Sequence, residues 1–113
     1  MANLVTPADY AGATLATAVP ASALATVIPY INPTTSFPTS LTPPKYFYIT
    51  LADAATGGSV TREVVKVTAM NSVAQTLTVT RGAGGYTIAA FAGGDIVDWR
   101  VCAQMLIDLQ LGL

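Results

Sequence analysis

A chain of 113 residues has room for one domain. It is 52% hydrophobic but only 10% charged, against roughly 25% in an ordinary soluble protein, and its five basic and six acidic residues leave a net charge of -1. With no histidine and one cysteine, the chain lacks the parts of a Ser-His-Asp or Cys-His nucleophile system, a zinc or iron–sulfur ligand set, and an internal disulfide. Five scattered cations make no phosphate-binding stripe, so the composition points away from catalysis, cofactors and nucleic acid.

The shortage of charge calls for a cover. A domain this small exposes much of its surface, and charge normally keeps that surface soluble and unassociated. The candidates are copies of the chain, a larger partner, or a membrane. Mean hydropathy is +0.54, but a spanning helix needs about 20 consecutive apolar residues. Residues 11–44 are uncharged, yet Pro20, Pro29, Pro33, Pro38, Pro43 and Pro44 interrupt them. The first basic residue is Lys45, too late for the positive start of a signal peptide. The expectation is a self-assembling component with neither anchor nor export signal.

All seven prolines fall at or before residue 44. Residues 1–44 therefore read as an extended arm of short strands and turns, one strand lying around residues 25–31. Residues 45–113 read as an antiparallel β domain with a terminal helix, the whole forming one structural unit. Tyr46-Phe47-Tyr48-Ile49-Thr50-Leu51 is aromatic and β-branched, hence a strand, with Phe47, Ile49 and Leu51 on one face. A Gly57-Gly58 turn separates it from strands over residues 62–70 and 76–81. A five-residue loop over 71–75 pairs Met70 with Thr76, Ala69 with Leu77, Thr68 with Thr78 and Val67 with Val79. Beyond Gly82-Ala83-Gly84-Gly85 and Gly93-Gly94 lies a last strand carrying Trp99. Cys102, Met105, Leu106 and Leu109 then recur at helical spacing, predicting a helix over 101–111. At about 16 Å it is too short to persist alone. Ile107 and Leu111 widen its apolar side, which either contacts another subunit or plugs the chain's own barrel. The fold class is mainly β: a small antiparallel sandwich or barrel with a Pro-rich arm and a short C-terminal helix.

The glycine run is not a phosphate loop, since no lysine follows it. Asp95 and Asp98 offer too few oxygens for a hard cation; Asp95 reads as a turn cap and Asp98 as solvated. Arg81 falls on the same face as Val65 and Val67, and a guanidinium there needs an acceptor. Glu63 or Asp95 can supply it, tying the hairpin to the glycine loop. Cys102 reads as a buried small hydrophobe. Tyr10, Tyr30, Phe37 and Tyr86 lie in the arm and glycine loop, as candidate anchors of a protein contact.

Four segments carry a resemblance: Phe37-Pro38-Thr39-Ser40, Glu63-Val64-Val65-Lys66-Val67-Thr68, Thr76-Leu77-Thr78-Val79-Thr80-Arg81-Gly82 and Ala92-Gly93-Gly94-Asp95-Ile96-Val97. Their order and spacing are similar to a small β module of tailed-bacteriophage structural proteins, found in fibre, neck, baseplate and head-surface components. Leu41, Tyr86 and Phe91 stand where that module usually carries Gly, Thr and His. The resemblance implies a non-enzymatic virion protein. Because the module makes up nearly the whole chain, it implies most directly a capsid decoration (cement) protein on the head surface. Such proteins commonly form trimers and bridge subunits of the major capsid protein. A tail, baseplate or fibre-base component is the alternative, and a small ligand-binding β-barrel the third reading.

Overall fold

The computed structural model describes residues 11–34, 37–57 and 60–99. Six strands form in chain order: β1 (Ala11–Leu15), β2 (Val27–Ile31), β3 (Phe47–Ala52), β4 (Arg62–Asn71), β5 (Thr76–Thr80) and β6 (Ile96–Trp99). They close into an antiparallel barrel in the order β1-β2-β5-β4-β3-β6, with β6 returning to β1. Closure leaves no sheet edge, which removes the unpaired backbone an open sheet exposes. Among the described residues no α-helix forms, and the expected helix over 101–111 lies outside them.

The stretch expected to be an arm supplies two staves of the barrel. Ala11 faces Trp99 and Thr14 faces Ile96 across β1 and β6, while Val27 faces Thr78 across β2 and β5. The prolines do not prevent this. Pro29 is a ladder residue opposite Thr76, and the other described prolines lie in the connections. The uncharged N-terminal part is thus absorbed into the sheet rather than laid over it.

The hairpin register is as expected at Val67↔Val79 and shifts by one beyond it, to Ala69↔Thr78, Met70↔Leu77 and Asn71↔Thr76. A bulge at Thr68 takes up the extra residue. It keeps Val67 opposite Val79 and brings Met70, not Ala69, opposite the fully buried Leu77. Apolar pairs therefore sit inside on both sides of the irregularity. The loop shortens to residues 72–75, with Gln75 at φ 56 and the Asn71 carboxamide accepting from the amides of Val73 and Ala74 at 3.0 Å each.

Leu15, Ile28, Phe47, Ile49, Leu51, Val65, Val67, Leu77 and Val97 are fully buried and fill the interior. Phe47 packs on Trp99 with ring centroids 5.1 Å apart. β3 is buried along its whole length, including Tyr48 and Thr50 on its outward row. Asp98, expected in solvent, is buried too, in the same cross-strand row as Gly12 of β1 and Thr50 of β3.

Antiparallel strands send their connections to two ends. The turn after β3 and the β1–β2 and β5–β6 connections share one end, called here the upper end. The β2–β3 connection and the β4–β5 hairpin share the lower end. Each end carries one of the features below.

Candidate functional site: a buried ion pair and a charge-free groove

At the upper end, the inward parity of β4 and β5 that buries Val65, Val67, Leu77 and Val79 also places Glu63 and Arg81 inside. Their side chains meet as a bidentate pair, Arg81 Nε to Glu63 Oε2 and Arg81 Nη2 to Glu63 Oε1, each at 2.9 Å. The planar fork of arginine suits this geometry. The carboxylate takes two further donors, the amides of Gly82 at 2.8 Å and Ala89 at 2.9 Å. The guanidinium gives its remaining hydrogens to backbone carbonyls: Ala89 at 2.7 Å, Pro20 at 2.9 Å, and Ser22 and Ala25 at 3.2 Å each.

Two buried charges thus gather three pieces of chain, namely β4, the β1–β2 connection and the β5–β6 connection. The two connections are stitched again where Val19 and Phe91 exchange amide–carbonyl bonds of 2.8 and 2.9 Å. Gly82 must be glycine here. Its φ is +65, and a Cβ would come within 2.8 Å of the Tyr86 carbonyl oxygen. Burial raises the Glu63 pKa, but the hydrogen bonds from Arg81, Ala89 and Gly82, with the arginine's charge, outweigh it and leave the carboxyl below its ordinary value.

Asp95 does not join the pair. Its Oδ2 accepts from the Ala92 amide at 2.8 Å, capping the turn before β6, and its Oδ1 accepts from the Ala54 amide at 3.0 Å. It ties that turn to the segment after β3 instead. Asp53 organises the same segment, accepting from the Thr56 hydroxyl and from the amides of Thr56 and Thr61, which hold its pKa low.

At the lower end, Tyr30, Pro33, Thr34, Phe37, Pro38, Thr39, Ser72 and Gln75 line a groove of about 290 Å³ that carries no ionisable side chain apart from the Tyr30 phenol. Tyr30 and Phe37 are not exposed anchors. Both are buried: Tyr30 lies on the inward row of β2 with Ile28, and Phe37, from the proline-rich connection, packs against it with ring centroids 4.9 Å apart. Burial also raises the Tyr30 pKa. Tyr86 is half-buried near the Arg62 guanidinium, 6.0 Å from its ring centroid. Tyr10, Cys102, Met105, Leu106, Ile107, Leu109 and Leu111 lie outside the described residues. The sequence could not show which carbonyls Arg81 would hold, since a main-chain oxygen carries no residue signature.

Among the described residues, no cluster of three or more His, Cys, Asp or Glu could hold a metal, and no helix is long and apolar enough to cross a membrane. Compared with protein-family models and with curated proteins, the chain matches none.

Removing one partner of a buried pair leaves an uncompensated charge and costs about 3–5 kcal/mol. Arg81→Met should lose about that much in a urea or thermal unfolding experiment, and unchanged stability would contradict the assignment. The pH dependence has a definite sign. A carboxyl held below its ordinary value of 4.5 contributes stability that is present above that value and is lost as pH falls through the folded-state value. The stability gap between the wild type and Glu63→Gln should therefore be constant near neutrality and narrow below about pH 4.5. Asp53 titrates in both proteins and cancels from the comparison.

Proposed function

We propose that the chain is a non-enzymatic structural protein of a tailed-bacteriophage particle. It assembles with itself, the trimer being the usual form in the proteins it resembles, and decorates the head by bridging subunits of the shell protein. The observation that carries this reading is how little charge the fold leaves outside. Of the charged residues described, Glu63, Arg81 and Asp98 are buried, so Lys45, Asp53, Arg62, Lys66 and Asp95 supply the outward charge. A surface this neutral is suited to being covered by protein.

The Glu63–Arg81 pair supports the same reading. Its oxygens and N–H groups are used in bracing connections, which is what a part under mechanical load requires. Shell bridging would then act by adding contacts across neighbouring subunits, each specific contact burying about 1,200–2,000 Å².

Quantitative mass spectrometry of purified particles, with gold labelling of a tagged copy under the electron microscope, tests the proposal. Label over the head at a copy number comparable to the shell protein is the expected result. Label at one pole in few copies would move the protein to the tail, baseplate or fibre base, and absence from particles would refute a virion role.

A further inference from the structure

Tyr30, at the lower end of the barrel, is only 2% exposed. Packing accounts for its ring, which meets Phe37. It does not account for the hydroxyl, because phenylalanine would fill the same space. A buried tyrosine ordinarily gives its O–H a partner, and this one has none among the described residues. Nor is the hydroxyl sealed away, since the enclosed side-chain polar atom left without a partner among those residues is Trp99 Nε1. Tyr30 lines the lower groove, and that is where its hydroxyl opens. Burial keeps the phenol protonated, so at neutral pH it has a proton to donate.

The groove is formed before anything enters it. The buried Tyr30 and Phe37 make its floor, and the exposed Pro33, Thr34, Thr39 and Ser72 its rim. One wall is the β2–β3 connection. There the Thr34 hydroxyl accepts from the Gly12 amide at 3.2 Å, the Thr34 amide donates to the Gly12 carbonyl at 2.8 Å, and the Thr34 carbonyl accepts from the Phe37 amide at 3.0 Å. The other wall is the hairpin loop. Its Gln75 carbonyl accepts from the Tyr30 amide at 2.9 Å, and its Val73 and Ala74 amides are held by the Asn71 carboxamide. Walls fixed in advance lower the cost of binding between them.

We infer that the groove binds a small uncharged molecule with an apolar body and one carbonyl oxygen, which accepts a hydrogen bond from the Tyr30 hydroxyl. Each part of that description comes from the lining. The volume of about 290 Å³ is close to the lower bound of small-molecule sites, roughly 300 Å³. Phe37, Pro33 and Pro38 offer carbon surface, which suits an apolar body. Apart from the phenol no ionisable side chain lines the groove, so a charge on the ligand would lose water with nothing to compensate it. A carbonyl meets the phenol without bringing a further donor that the ring-lined floor would leave unpaired. Thr39, Ser72 and Gln75 supply neutral hydroxyl and carboxamide groups for the ligand's outer face. This inference goes beyond the structural role proposed above and does not depend on it.

The test is an NMR titration of the intact, isotope-labelled chain with N-acetylpyrrolidine, an uncharged ring carrying one carbonyl. The expected result is saturable shifts at the amides of Thr34, Phe37, Thr39, Ser72 and Gln75. Affinity should fall about two- to tenfold in Tyr30→Phe, the net worth of one neutral hydrogen bond. N-acetylproline, the same molecule with a carboxylate added, should bind roughly tenfold more weakly or worse. Ser72→Trp, at an exposed rim position, should block the probe while melting like the wild type. Since the hydroxyl has no partner in the fold, Tyr30→Phe should melt no lower than the wild type. No saturable shift at the groove, or a probe indifferent to Ser72→Trp, overturns the site. Equal affinity in Tyr30→Phe, or a lowered melt of that variant, overturns the phenol as the ligand's donor. Equal affinity for N-acetylproline overturns the uncharged class.

Discussion

An arginine and a glutamate enclosed among valines and leucines are the constraint on which the upper end of this barrel depends. Burying two charges is expensive, and the mutual attraction of a bidentate pair repays that cost only when the remaining hydrogen-bonding capacity is also met. The fold meets it with backbone. Gly82 and Ala89 donate to the carboxylate, and Pro20, Ser22, Ala25 and Ala89 accept from the guanidinium. Those groups come from two long connections that contain little regular structure. Val19 and Phe91 anchor them in the core, and the pair holds the backbone beside those anchors.

The central hairpin was readable because its residues agree at several levels. β4 and β5 are rich in β-branched residues, and the alternation of Val65, Val67, Leu77 and Val79 with their outward neighbours places Val67 against Val79. Arg81 could be read as needing an acceptor because its parity put it among valines. Choosing between Glu63 and Asp95 required knowing that Gly82 turns sharply while Asp95 spends its oxygens on Ala54 and Ala92. The bulge at Thr68 has no glycine to mark it. β1 was not legible, since Ala-Gly-Ala-Thr-Leu has weak strand character and its partner β6 lies at the other end of the chain. Proline density misled in the same region. It signalled an arm, whereas Pro29 sits in the β2–β5 ladder and Phe37 is drawn into the core.

Charge is scarce in the composition and on the described surface alike. The chain has few charges, the fold buries some of them, and those left outside are absent from the outward rows of β1, β2 and β5. A closed barrel with braced loops and a neutral side is suited to the proposed role of holding other protein in place.

The buried pair is the element that fixes the upper connections. Amide hydrogen exchange measured by NMR at Gly82 and Ala89 is the most direct test, because these two donors depend on Glu63 rather than on any strand ladder. They should exchange as slowly as the core amides of β4, through global unfolding only. Exchange at the rate of the exposed hairpin loop over residues 72–75 would show the connections opening independently, and would contradict the pair as the element that organises them.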